Sequence, residues 1–187
     1  MCSKQAHCSD SERWEVRRRP RWRNGGGVQM VTITESTSID RPVEEVWRFV
    51  SDPGNTPKWY QGTLEVRQRS EGPLAVGTMF AAAVRYRGRS LVFGARCTAV
   101  DPNNEVTWGF TSGPTKGSKD TWRMEPNDET STRLTRIFEL RVSGAWRVIQ
   151  PMIARGTKRA HEAEIHNVKR ILEGEPQAER GERFLHP

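Results

Sequence analysis

The residues best suited to chemistry in this sequence crowd one stretch, His161, Glu162, Glu164 and His166, which on paper supplies a base and an acid. Their spacing argues against a designed pair. Glu162 is adjacent to His161 and so faces elsewhere on a helix, and the i, i+4 partner of His161 is Ile165. These four read as solvent-facing polar residues. Arg136 is a sharper case. Strand alternation in Thr132–Val142 puts Leu134, Arg136, Phe138 and Leu140 on one face, so the guanidinium points inward among apolar neighbours. A buried guanidinium needs an anionic or carbonyl partner. A ligand carboxylate or carbonyl could provide it, an internal carboxylate could, or a bulge could turn the side chain outward. In the run Thr78–Arg87, parity sends inward either Arg85 with Ala81 and Ala83, or Tyr86 with Phe80 and Val84. Arg85 and Arg87 suit the solvent face, so Tyr86 is expected inside.

Other chemistries find little support. Cys2, His7 and Cys8 lack a fourth ligand and the spacing of zinc modules, so no metal site is expected. Gly25-Gly26-Gly27 follows no strand pattern and opens no helix, so it is not a phosphate-cradling loop, and no cofactor is implied. The net charge of +7 suggests nucleic acid until its location is read. Residues 1–29 hold seven of the 30 cations and three of the 23 acids, so more than half of the excess sits in an Arg-rich stretch outside the apolar part of the chain. That stretch includes Arg17-Arg18-Arg19-Pro20-Arg21-Trp22-Arg23. As a solvated tail it needs no partner, which argues against a nucleic-acid or anionic-surface role. Cys2, Cys8 and Cys97 suggest no disulfide framework, there is no span of about 18 apolar residues, and no apolar signal-peptide core. A soluble cytoplasmic protein, monomeric or homodimeric, is the expectation.

The elements that must position these residues follow from the pattern. Residues 1–29 read as a disordered tail. Met30, directly before the first strand pattern, is a candidate alternative initiator. Val31, Ile33 and Ser36–Ile39 form an extended run. Asp40-Arg41-Pro42 then signals a helix start, with Asp40 as cap and Glu44 and Glu45 at the positive end. Val43, Val46, Trp47 and Val50 give that helix one apolar face. Thr56–Tyr60 reads as a second brief helical turn. Six strands follow, at 63–69, 78–87, 90–100, 105–111, 119–125 and 132–142, separated by turn residues such as Arg87-Gly88-Arg89 and Asp101-Pro102-Asn103-Asn104. Such short connections imply an antiparallel meander. A long helix runs from Pro151 to about Glu173, with Met152, Ile153, Gly156, Ala160 and Ala163 on one side and Ile165, Val168 and Leu172 on another. Residues 174–187 read as a flexible tail. The class is α+β, with a seven-stranded curved antiparallel sheet wrapped around the C-terminal helix and two short helices after the first strand.

Ser38-Ile39-Asp40-Arg41-Pro42-Val43-Glu44-Glu45-Val46-Trp47, followed by Ser51-Asp52-Pro53 and Lys58-Trp59, resembles the opening of SRPBCC domains (START-related, polyketide cyclase/dehydrase and lipid transport). Val100-Asp101-Pro102 with Glu105-Val106-Thr107-Trp108, and Thr132-Arg133-Leu134-Thr135, resemble the same family further on. The resemblance covers about residues 30–173 and implies the helix-grip fold, with a cavity between sheet and last helix that opens near the short helices. It implies binding or transport of a hydrophobic small molecule such as a lipid or polyketide. The alternative is a cyclase/dehydratase-type enzyme in which Tyr86, Arg136 or His161 shift protons. On this basis the ligand-binding candidates are Trp59, Tyr60, Phe80, Tyr86, Trp108, Trp122, Arg136, Phe138, Gly156 and Ala160, and no catalytic residue is assigned. Ala81–Ala83, Gly94, Ala95, Gly156 and Ala160 are small either to leave ligand volume or to let helix and sheet approach closely.

Overall fold

A computed structural model describes residues 29–60, 62–86, 88–142 and 150–174. The expectations for the Arg cluster, for Cys2, His7 and Cys8, and for residues 175–187 fall outside them. The elements are β1 (Gln29–Ile39), α1 (Val43–Val50), a 3-10 turn (Pro53–Asn55), α2 (Thr56–Trp59), β2 (Thr63–Gln68), β3 (Met79–Tyr86), β4 (Arg89–Asp101), β5 (Glu105–Ser112), β6 (Lys119–Pro126), β7 (Thr132–Val142) and α3 (Gln150–Leu172). The strands form one antiparallel sheet in the order β1-β7-β6-β5-β4-β3-β2. The meander from β2 to β7 uses short turns, while β1 reaches the far edge and pairs with β7 from Gln29↔Val142 to Ile39↔Thr132.

The sheet curves where its ladders slip. Between β4 and β5 the register shifts at Gly94/Ala95 and again at Cys97/Ala99, and each extra residue bends and twists its strand. Gly94 is small because of that bend. A Cβ there would stand 2.6 Å from Ser112 Oγ and 3.0 Å from Thr111 Oγ1. Close approach of β4 to β5 accounts for this residue without any ligand volume.

α1 begins at Pro42, whose extended backbone precedes the first helical turn, and no side chain caps it. Asp40, expected as the cap, lies two residues too early. Its backbone N–H donates instead to Glu173 Oε1 at 2.8 Å. The capping carboxylate belongs to the next turn, where Asp52 Oδ1 accepts from Gly54 N at 2.8 Å. Val46 and Val50 of α1 are buried, each contributing roughly 2 kcal/mol on transfer from water.

Behind the sheet's concave face the apolar residues divide into two clusters. The larger joins Ile39, α1, Trp59, Phe80, Cys97, Val106, Trp108, Trp122, Met124 and Leu134 to Ile165 and Val168 of α3. The smaller is Ile33, Phe138 and Leu140, with Val31 and Phe110 against it. The buried stripe of α3 runs through His161, Glu164, Ile165 and Val168, the i, i+3, i+4, i+7 pattern of one helix face. Gly156 and Ala160, expected to face the sheet, are exposed, and a Cβ built on Gly156 meets nothing within 4 Å. The helix packs through its C-terminal half, because that is where Ile165 and Val168 supply apolar bulk. No helix among the described residues is long and apolar enough to cross a membrane.

Candidate functional site

Between the two apolar clusters lies a layer of charge. Alternation in β7 places Leu134, Arg136, Phe138 and Leu140 inward, all buried. On β6 the same period buries Asp120, Trp122 and Met124, with Asp120 opposite Phe138 and Trp122 opposite Arg136. One helical turn of α3 adds His161 and Glu164 from above. Arg136, Asp120, His161 and Glu164 are each only 6–8% exposed.

Each nitrogen of the Arg136 guanidinium donates to a carboxylate. Its Nε donates to Asp120 Oδ1 at 2.9 Å and Oδ2 at 3.2 Å, and its Nη2 donates to Oδ2 at 2.7 Å. Its Nη1 donates to Glu164 Oε2. Its flat face is covered by indoles, with the Trp122 ring centroid 4.6 Å and the Trp59 centroid 5.5 Å from Cζ, a geometry that favours a desolvated cation. The inward position of Arg136 follows the strand pattern. The ligand-carboxylate anchor does not, because two internal carboxylates already occupy the fork and satisfy the need of a buried cation for partners.

The electrostatics follow from burial. Desolvation pulls the Arg136 pKa down, but Asp120 and Glu164 outweigh it and hold the group charged. Burial pushes the Glu164 carboxyl above its ordinary value. Arg136 opposes that shift, and Asp120 adds to it. Burial first, and the Arg136 charge second, push His161 down to about 3, with Asp120 opposing. The imidazole is therefore neutral at pH 7. Its ring stands edge-on to Phe138 at 4.8 Å, and its buried Nδ1 has no hydrogen-bond partner. The solvent-facing reading of His161 and Glu164 is thus corrected: both belong to the buried stripe, while His166 is exposed and Glu162 half-buried. Beside them, Glu35 pairs in register with Arg136. Its Oε1 is buried without a hydrogen bond and lies 3.9 Å from Lys158 Nζ.

The aromatic candidates distribute around this layer. Trp59 meets Trp122 edge-on at 5.3 Å and stacks on half-buried Tyr60 at 6.3 Å. Its carbonyl accepts from Asn167 Nδ2 at 2.9 Å, tying α2 to α3. Phe80 and Trp108 pair at 5.2 Å within the larger cluster. Phe138 leads through Phe110 to Phe93 in steps of 6.1 and 6.2 Å. Phe80 and Val84 are buried and Arg85 exposed, while the Tyr86 side chain lies outside the described residues. Gly156 and Ala160 do not join the group. Asp120, Glu164 and Glu35 were missed, although two signals pointed at them: Asp120 has the parity of Trp122 and Met124, and Glu164 is one turn from both His161 and Val168. A shallow surface depression between Val43, Glu44 and the turn Pro126–Glu129 is separate from this site.

An antiparallel sheet curved around a C-terminal helix, with rings and a few polar groups on its concave face, defines a helix-grip protein of the START-like SRPBCC kind. A family model described as polyketide cyclase / dehydrase and lipid transport matches residues 30–173, and the chain belongs to that family. An uncharacterized protein of Mycobacterium tuberculosis is 30% identical over 115 residues, 60% of this chain and 49% of the relative. The chain thus spans more than the part it shares with that relative, but the match spans only about half the relative's length. Among solved structures, the Zhui aromatase/cyclase from Streptomyces sp. R1128 aligns with TM-score 0.67 at 16% identity, covering 78% of this chain and 94% of that one. A START superfamily protein from Mycobacterium smegmatis aligns with TM-score 0.58 at 17% identity, covering 76% and 94%. At such identities the likeness is one of fold.

Proposed function

We propose that the protein binds a hydrophobic small molecule, a lipid or polyketide-like compound, between the concave sheet and α3, acting in the cytoplasm. Trp59, Tyr60, Phe80, Trp108, Trp122 and Phe138 form the apolar walls. One observation carries the reading: amid these rings the charge layer leaves two buried polar atoms without a hydrogen bond, Nδ1 of His161 and Oε1 of Glu35. Leaving a buried polar atom unpaired costs roughly 1–3 kcal/mol, and a bound molecule that pairs with it recovers that cost. Native mass spectrometry of protein from its own host is expected to release a copurified apolar compound. Polycyclic phenols or sterols are expected to saturate the protein one to one and raise its melting temperature. No saturable binding across such a panel would sink the proposal.

A cyclase/dehydratase activity is the second reading, and a specific observation favours it. A neutral imidazole that can accept a proton stands in the same buried layer as Glu164, whose carboxyl burial holds protonated to higher pH than usual. His161→Ala and Glu164→Gln should each abolish turnover of a poly-β-keto substrate, a far larger loss than the weakening of its binding. Unchanged turnover in both variants would remove them as acid and base.

A further inference from the structure

The charge inventory of this layer bears on the kind of ligand it accepts. Two carboxylates, Asp120 and Glu164, hold one guanidinium, every nitrogen of Arg136 donates to one or the other, and a third, Glu35, stands opposite Arg136 in the β1–β7 register. The nearby Lys158 is more than half exposed and is shared between Glu35 at 3.9 Å and Glu162 at 3.6 Å. Each cation of the layer is therefore already paired with carboxylates, and among the described residues the layer holds no unpaired positive charge for an anion to meet. The two buried atoms here without a hydrogen bond are Glu35 Oε1 and His161 Nδ1. The first is an acceptor only, and the second is an acceptor when the neutral ring carries its proton on Nε2. Both belong to the face where α3 lies along β1, on either side of Arg136 and Phe138. A ligand that completes Glu35 must bring a hydrogen-bond donor, and a hydroxyl can also pair with His161 Nδ1 in either tautomer. A ligand carboxylate would bring only acceptors and negative charge, and would face the acids without water to screen them.

We infer that the site selects apolar molecules carrying a hydroxyl or other hydrogen-bond donor at the end lodged against Glu35 and His161, and rejects those ending in a carboxylate. The inference rests on the binding reading above and narrows it to a ligand class: phenol-like or alcohol-like compounds rather than free fatty or aromatic acids.

The test uses the full chain at pH 7 and three probes with one ring system, 2-naphthol, 2-naphthylmethylamine and 2-naphthoate, compared by calorimetry. The naphthol and the amine are expected to bind at least about tenfold more tightly than the acid, the scale of a like-charge mismatch in a dry site. Glu35→Gln, which removes charge at a half-buried position, should narrow the naphthol-to-naphthoate ratio by about threefold or more. Naphthoate binding as tightly as naphthol would overturn the selectivity and leave the binding reading standing. Binding of none of the three would take both down together. A preference for naphthol that Glu35→Gln leaves unmoved would overturn the placement of the donor against Glu35.

Discussion

The two ends of the concave face are built on opposite principles. Toward α1, α2 and the C-terminal half of α3, apolar side chains pack against one another, with Ile39, Val46, Val106, Leu134 and Val168 fully buried. Next to them, around Arg136, the chain instead buries four ionisable groups and caps them with rings and the small Ile33, Phe138 and Leu140 cluster. The first region is what makes the sheet and helix one body. The second contributes little net stability, because desolvating ions cancels most of what their pairing returns.

That contrast can be broken most severely at Arg136. Arg136→Met leaves Asp120 and Glu164 buried without their cation, and unfolding in urea should show a loss of about 3–5 kcal/mol. Truncating the apolar region, Leu134→Ala, should cost about 2–5 kcal/mol through the cavity it leaves, with no change in the pH dependence of stability. The pH dependence belongs to the charged layer. His161 is neutral when folded, with its pKa pushed down to about 3, and titrates normally when unfolded. Protons are thus taken up preferentially by the unfolded chain as pH falls below about 6.5. Stability due to this group is complete above that pH and is lost on acidification, by up to about 1.4 kcal/mol per pH unit. His161→Phe should flatten the stability profile between pH 6 and 4 relative to the parent, and an unchanged slope would place the acid sensitivity elsewhere. The smallest effect tests the uncovered part of α3. Gly156→Ala meets no atom and should stabilise the helix by up to about 1 kcal/mol. A loss there would mean that the residue faces something after all.

Much of this was legible in the residues, and the misses share a cause. Turn chemistry and period-2 alternation placed the strands within a residue or two, because Gly88 and Asn103 at turns and Leu134, Phe138 and Leu140 on one face report local geometry. Arg136 was placed inward by the same rule. Its partners were not read, since Asp120 lies 16 and Glu164 28 residues away in sequence, and no local pattern encodes charge compensation between elements. Asp120 sits next to Lys119, and its burial follows the parity it shares with Trp122 and Met124. Glu164 was dismissed with its polar neighbours, although the helical period put it on the stripe of Ile165 and Val168. Gly156 and Ala160 differ: their small size was read as ligand volume or as close approach of helix and sheet, whereas both are exposed and a Cβ on Gly156 meets nothing within 4 Å.

The pairing of the first strand with the last has a consequence for how the chain reaches this structure. Ser36 and Thr135, 99 residues apart, share a hydrogen bond of 2.9 Å, and Lys169 Nζ donates to the carbonyl of Ser38, 131 residues away, at 2.6 Å. Among the described strands β1 pairs with β7 alone, so it must wait for nearly the whole domain to be synthesised before it can pair. Closing so long a loop is entropically costly, and contacts of such range slow folding. On the ribosome, the meander from β2 to β6 can zip as it emerges, while β1 remains an unpaired edge until β7 arrives.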